Sequence, residues 1–390
     1  MKYINFIIKK EGAKYNLYDL LSNTTIEINR HALQIMKRLR NKTSPYKLNR
    51  EELILYNNLY KYKFIQKEGT SNLPYNETAL KNLDIQITSR CNLRCRHCLW
   101  SNLPSTDLDY NKIKNILFDF KKMGGVRVNI TGGEPLLHKD ISKILKLCRN
   151  LNLHIAVSSN GLLINNRIIN DFKKYKVAEN IVSLDGFRKS HEYIRGKNTF
   201  NKTLNNIKLL IKNNLPVYIR MMYYKKNARY YNKFKNFCKS LEIKSLITAP
   251  IINIDRTNKN KELFLSKREL KQYYKQRYDQ NVPSLINSTE NNFKLACGAG
   301  KRFIFISSSG NVCPCPLLSD FIMGNINKRR LITIYKSPDH SYDTIKYFNY
   351  KNIQCSKCSK FNVCRGGCRG IAYLNGDIYG VDPFACAKYL

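Results

Sequence analysis

The sequence predicts an α/β chain. Its central part reads as a parallel sheet with helical crossovers, open or curled into a full or partial barrel, with a small winged-helix-like module before it and a loop-rich tail after it. Three observations lead there. Strand-like and helix-like patterns alternate six times between Leu83 and about Ile252, the first eighty residues instead run short strands and then helices, and eight of the thirteen cysteines fall after residue 296.

Residues 1–80 hold alternating runs at Tyr3–Ile8, Tyr15–Leu20 and Thr25–Ile28, followed by helical patterns at Ala32–Leu39 and Glu51–Tyr62. Residues 81–252 carry the apolar or β-branched runs Leu83–Thr88, Val126–Thr131, His154–Ser158, Ile181–Asp185, Val217–Tyr223 and Leu246–Ile251. Amphipathic stretches such as Lys112–Lys122, Ile141–Arg149 and Leu204–Lys212 lie between them. Residues 253–296 are polar, with a helical patch at Lys267–Tyr278, and read as a connector. Residues 297–390 show little periodicity, so metal clusters are the expected staples of that tail.

Composition narrows the function. An apolar content of 43% suits a globular chain, and no window approaches the ~18 apolar residues of a membrane span. The first ten residues are too interrupted for a signal peptide, which points to a cytoplasmic protein with no membrane partner. The net charge of +40 would ordinarily suggest nucleic acid. Here lysine is spread evenly and travels with asparagine, isoleucine and tyrosine, so a general compositional bias is expected instead, together with a preference for acidic partners. Cysteines clustered in a reducing compartment argue for metal ligation over disulfides.

The first chemical motif is Cys91-Asn-Leu-Arg-Cys95-Arg-His97-Cys98, directly after the first strand of the central region. Three thiolates at these spacings can fold around one corner of an iron–sulfur cubane and leave its fourth iron open. Zinc accepts similar spacings, so the triplet alone leaves the metal undecided. Further motifs follow successive strands: Thr131-Gly132-Gly133-Glu134-Pro135, Ser158-Ser159-Asn160-Gly161, and Ser183-Leu184-Asp185-Gly186 with His191 and Arg195 beyond it. Barrel enzymes keep their active sites at such strand ends.

Together these residues resemble the radical S-adenosylmethionine (radical SAM) superfamily, whose motif is C-x3-C-x2-C. The resemblance implies a partial (β/α)6 barrel and a [4Fe–4S] cluster on Cys91, Cys95 and Cys98. It also implies cofactor contacts from Gly132, Gly133, Glu134, Pro135, Ser159, Asn160, Ser183, Asp185 and Arg195. The Gly-Gly backbone is expected at the cofactor's amino group, Ser183 at its ribose, and Arg195 at its carboxylate, which a planar guanidinium can fork.

In the tail, Cys297, twelve residues, Gly310, four residues and Cys315 are followed by Cys355-x2-Cys358-x5-Cys364-x3-Cys368 and then Cys386. This resembles the seven-cysteine signature of the SPASM extension and implies two auxiliary [4Fe–4S] clusters. One would sit on Cys297, Cys315 and Cys368, the other on Cys355, Cys358, Cys364 and Cys386. Cys313 is surplus to the pattern, and Cys148 and Cys238 read as small buried residues within helices.

The resemblance implies that S-adenosylmethionine is cleaved to a 5′-deoxyadenosyl radical that takes a hydrogen from the substrate. The expected partners are a peptide or protein substrate, with a leader peptide gripped by residues 1–80 as an added strand, and an electron donor such as a flavodoxin or ferredoxin. The expected reaction is a thioether or carbon–carbon crosslink. One alternative is an anaerobic sulfatase-maturase-type enzyme, in which an Asp following the cysteine that corresponds to Cys315 acts as base; Pro316 stands there in this chain. Another, of a different class, is a zinc-containing nucleic-acid-binding protein.

Overall fold

The computed structural model describes residues 80–100, 104–252, 262–277 and 298–389, together with Gln34 and five short strands among the first 66 residues. The chain divides into two compact units, residues 1–79 with 282–292 and residues 80–281 with 293–390. Five strands lie in the first: β1 (Lys2–Tyr3), β2 (Phe6–Glu11), β3 (Lys14–Asp19), β4 (Thr25–Ile28) and β5 (Ile65–Gln66). β2, β3 and β4 form an antiparallel meander, and β1 pairs with β5. Apart from Gln34, the helical patterns on which the winged-helix reading depends lie outside the described residues.

Among the described residues the second unit is built on nine strands. They are β6 (Asn82–Gln86), β7 (Arg127–Thr131), β8 (His154–Ser159), β9 (Glu179–Ser183), β10 (Val217–Tyr223), β11 (Ser245–Pro250), β12 (Phe303–Ile306), β13 (Asn311–Cys313) and β14 (Gly324–Asn325). Their order is β11-β10-β9-β8-β7-β6-β12-β13-β14, with β6 to β11 all parallel. Sequential parallel strands joined by helices are the β/α repeat that the pattern predicts. β11 and β14 are edges, so the sheet is an open partial barrel.

The tail holds more regular structure than its loop-rich reading foresees, and one part of it joins the barrel sheet. β12 pairs in parallel with β6, and β13 and β14 continue the sheet antiparallel. Phe303-Ile-Phe-Ile306 is only four residues long, too short to register as periodicity, yet it places two isoleucines in the core shared with the barrel.

Among the described residues eight helices accompany the barrel strands and the connector: α1 (Tyr110–Lys122), α2 (Ile141–Asn150), α3 (Asn166–Lys174), α4 (Arg188–Arg195), α5 (Phe200–Lys212), α6 (Lys225–Ala228), α7 (Tyr231–Ser240) and α8 (Lys267–Arg277). α1 shows why they form. Asp109 caps it, accepting from the N–H groups of Asn111 (2.8 Å) and Lys112 (3.3 Å), and Ile113, Ile116, Leu117 and Phe120 bury one helical face. Each such side chain contributes roughly 1.5–3 kcal/mol relative to exposure. Five short helices follow in the tail: α9 (Leu331–Lys336), α10 (Asp343–Lys346), α11 (Phe361–Cys364), α12 (Arg369–Leu374) and α13 (Pro383–Tyr389). The Arg330 guanidinium forks Asp119 of α1 at 3.0 and 2.6 Å, tying the start of α9 to the barrel.

The strands alternate as a sheet covered on its outer face should. In β10, Val217, Ile219, Met221 and Tyr223 are buried in the helix-covered core, while Tyr218, Arg220 and Met222 take the inner face. Inner positions elsewhere are polar: Ser158 donates to Asn129 at 2.9 Å, and Glu179 accepts from Arg127 at 2.7 and 2.8 Å and from His154 Nε2 at 2.7 Å. Burial alone would push the Glu179 carboxyl up, but the Arg127 fork and His154 outweigh it and hold it at about 2, below the ordinary 4.5. A depressed carboxyl stabilises the fold above its unfolded pKa, and that contribution fades as pH falls toward the folded value. Urea unfolding should therefore lose about 3 kcal/mol between pH 5 and pH 2 from this group. Glu179→Gln should flatten that slope, and equal slopes in the two proteins would refute the assignment.

Candidate active site

The loop after β6 carries the first cysteine set and is stapled at both ends. The Thr88 hydroxyl donates to Asp107, and Arg90 forks the same carboxylate at 3.0 and 2.6 Å. Within the loop the Cys98 N–H donates to the Cys95 carbonyl, and the Arg96 N–H reaches the Ile194 carbonyl of α4, both at about 3 Å. Cys91 is exposed and Cys95 and Cys98 are half-buried. Burial pushes the Cys95 thiol up to about 11 against the pull of the Arg195 guanidinium, and the neighbouring Cys98 and Cys91 raise it further. The three thiols are thus close enough to feel one another's charge.

Residues 132–134 pack backbone to backbone against that loop. The Gly133 N–H donates to Thr88 O and the Glu134 N–H to Arg90 O, each at 2.8 Å. A Cβ on Gly133 would stand 2.4 Å from Arg90 O and 2.5 Å from Ser89 O, so only glycine fits. Glu134 then turns inward ahead of Pro135, which opens a 3-10 turn. Its carboxylate accepts from Ser159 Oγ (2.8 Å), the Asn160 N–H (2.7 Å) and the Leu136 N–H (3.2 Å). Burial pushes this carboxyl up to about 7, opposed by those three donors. Asn160 in turn donates its side-chain amide to Asn92 at 2.8 Å, with Cys91 Sγ at 4.0 Å.

The fourth strand end closes the arrangement. Asp185 is fully buried and accepts from Arg195 Nε and from the Met222 N–H (2.6 Å), while Arg195 Nη1 lies 3.9 Å from Cys95 Sγ. Burial works against the Asp185 carboxylate, but Arg195 beside it keeps it below the usual range. Burial also pushes His97 and His191 down to about 4, so both rings are neutral at physiological pH. His97 Nδ1 and His191 Nε2 are buried without a hydrogen-bond partner among the described residues.

The structure therefore brings Cys91, Cys95, Cys98, Gly133, Glu134, Asn160, Asp185 and Arg195 to one end of the sheet. The side chains of Glu134, Ser159 and Asp185 engage the protein itself, and Arg195, expected at a cofactor carboxylate, already holds Asp185 and faces a thiol. Ser183 ends β9 beside Arg220 of β10. Sequence reading passed over Arg220, although an arginine in the middle of an otherwise apolar and aromatic strand run was a usable signal.

The tail gathers a second set. Burial raises the Cys364 and Cys386 thiols, and charge on Cys355 raises both, with Cys358 adding to Cys386. Between Cys364 and Cys368, Arg365, Gly366 and Gly367 all take left-handed backbone (φ 50°, 72° and 69°), reversing the chain within three residues. The turn brings the Cys368 N–H to the buried carboxylate of Asp382 at 2.7 Å, which also accepts from the N–H groups of Phe384 and Ala385 at the head of α13. Cys315 and Cys368 head two helical turns packed on each other, residues 316–318 and α12. Cys297 lies outside the described residues. Among the described residues no three of these side chains close on a single metal ion, whereas thiols gathered at wider spacing are a donor set that fits iron–sulfur clusters.

Cys148 and Cys238 are buried within α2 and α7. Cys313 is also buried, donates to the Ser319 carbonyl at 3.3 Å, and is pushed up to about 12 by burial. Cys313→Ala should therefore keep the full iron content and cost about 1 kcal/mol of stability. Loss of a whole cluster in that variant, measured as iron and sulfide per chain, would make Cys313 a ligand.

Comparison with known proteins assigns two domains along the chain. Residues 85–238 match the family model of the Radical SAM superfamily, and residues 297–365 match that of SPASM, an iron–sulfur cluster-binding domain. The chain is 24% identical over 331 residues to the AdoMet-dependent heme synthase of Methanosarcina barkeri, covering 77% of this chain and 94% of that protein. It is 29% identical over 270 residues to the antilisterial bacteriocin subtilosin biosynthesis protein AlbA of Bacillus subtilis, covering 65% and 59%. In fold it is similar to Streptococcus suis SuiB bound to its precursor peptide SuiA, with a TM-score of 0.68, 17% identity and 98% of each chain covered. Among the described residues no helix is long and apolar enough to cross a membrane.

Proposed function

Because this chain belongs to the radical SAM superfamily and carries a SPASM iron–sulfur domain, we propose that it is a maturase that crosslinks a peptide substrate. The observation that carries the reading is the pair of thiol sets held in one compact unit, one at the strand ends beneath the Gly132–Pro135 loop and one in the tail. The relative in bacteriocin biosynthesis supports a peptide as substrate.

In this reading Cys91, Cys95 and Cys98 hold the cluster that binds S-adenosylmethionine, and two auxiliary clusters sit on Cys297, Cys315 and Cys368 and on Cys355, Cys358, Cys364 and Cys386. S-adenosylmethionine bound there would supply the chemistry for taking a hydrogen atom from the peptide, and an auxiliary cluster would accept the electron left when the crosslink closes with loss of a proton. The chain supplies position and charge. Arg195 stabilises thiolate at Cys95, Asp185 keeps Arg195 in place, and Glu134 locks the ends of β7 and β8 together through Ser159 and Asn160. Pro316, at the head of a 3-10 turn, offers no base next to Cys315, which disfavours the sulfatase-maturase reaction.

The first unit is the proposed leader-binding element, and its removal tests the peptide reading. Deleting residues 1–79 should leave reductive cleavage of S-adenosylmethionine intact, since the second unit has its own core. Processing of a leader-bearing precursor, taken from the short reading frames beside the gene and followed by the mass lost on crosslinking, should collapse. Equal processing by both proteins would refute the leader role, and turnover of a tetrapyrrole with every peptide untouched would refute the peptide reading.

A further inference from the structure

Arg220 stands apart from the other charged groups of the barrel interior. It shares the inner face of β10 with Tyr218 and Met222, level with Ser183 of β9 and Ile247 of β11. Glu179 is already held by Arg127 and His154, and Asp185 by Arg195 and the Met222 N–H. Burial disfavours the Arg220 charge, and of the opposite charges Asp84, on the inner face of β6, offsets that cost most, with Glu179 a smaller contributor. Even so, no hydrogen bond or ion pair among the described residues ends on the Arg220 guanidinium. The side chain is enclosed by protein and still half-buried rather than sealed, so solvent or a ligand can reach it.

A guanidinium stays charged throughout the accessible pH range and offers five N–H donors in a planar fork. Half-buried and with no acceptor from the described residues, it is met by solvent alone, and a planar anion that meets two of its donors is the matching ligand. We propose that Arg220 is a carboxylate-binding residue of the barrel interior, taking a carboxylate carried either by the substrate or by the amino-acid part of S-adenosylmethionine. By sheet register Arg220 is level with Ser183, the last residue of β9, so its guanidinium belongs to the strand-end layer where the cysteine loop lies. The inference rests on the radical SAM reading of the site and names the chemistry of a substrate group within it.

The test reads binding by reconstituted protein. Equilibrium dialysis compares S-adenosylmethionine with its decarboxylated analogue, and melting curves compare glutarate monoamide with uncharged glutaramide, in wild type, Arg220→Gln and Arg220→Lys. If the substrate is the source, the wild type is stabilised by glutarate monoamide alone, Arg220→Gln loses that shift, and Arg220→Lys keeps part of it. If the cofactor is the source, the wild type prefers S-adenosylmethionine over the decarboxylated analogue by about tenfold, and Arg220→Gln erases the preference. A glutamine variant that matches wild type with all four probes overturns the proposal. Should Arg220→Gln fail to fold, a lysine variant indistinguishable from wild type overturns it as well. Since no turnover is measured, a chain that binds these probes but never cleaves S-adenosylmethionine would count against the proposed reaction and leave this site standing.

Discussion

Replacing Cys91, Cys95 and Cys98 together by alanine is expected to remove about four of roughly twelve irons and to abolish cleavage of S-adenosylmethionine. The reasoning is geometric as well as chemical. The three thiols share one loop, that loop is stapled by Arg90 and Asp107, and the tail thiols form their own groups around Cys364, Cys386 and the head of α12. The sets are independent enough that emptying one should leave the other two loaded. Because all three side chains are at least partly exposed, alanine opens no buried cavity, and the fold should survive. Iron, sulfide and 5′-deoxyadenosine are measured on protein reconstituted without oxygen. Cleavage retained in the triple variant would sink the active-site assignment.

The second large effect is expected from a single methyl group. In Gly133→Ala the new Cβ would overlap the carbonyl oxygens of Ser89 and Arg90, which are backbone atoms and cannot swing aside as a flexible side chain would. One of the two segments must move, and both lie against the cysteine loop. A displacement near 1 Å at a site that orients reactants costs on the order of 100-fold in rate. The core is not involved, so circular dichroism should be unchanged while cleavage of S-adenosylmethionine falls by about that factor. Undiminished cleavage would show that the close approach of these two backbones does not matter for the chemistry.

Much of this was legible in the sequence because the signals are local. Parallel strands buried on both faces announce themselves as β-branched runs, and cysteine spacing survives any uncertainty in tertiary structure. What escaped was decided by partners far apart in the chain. α4 was not foreseen because Arg188–Arg195 is nearly all polar, and it forms where Ile194 packs with Tyr224, Ile251 and Leu263 while its carbonyl accepts from the Arg96 N–H of the cysteine loop. Arg195 was legible as a residue, but its engagement with Asp185 and Cys95 was not. Gly133 was expected to leave room for a cofactor, whereas its first constraint is the neighbouring backbone. Arg220 went unnoticed because nothing in a strand pattern says which inner positions end up without partners.

The pairing of β12 with β6 also sets an order of events during synthesis. β6 emerges early and gains β7 within some forty residues, but its other edge waits for a strand roughly 200 residues further on. At ribosomal speeds that interval is on the order of 10–40 s. Throughout it the nascent barrel presents a bare strand edge beside the cysteine loop, a surface prone to pairing with the wrong chain. The timing of cluster insertion relative to the arrival of Phe303–Ile306 is therefore a natural point at which yield of the active protein is won or lost.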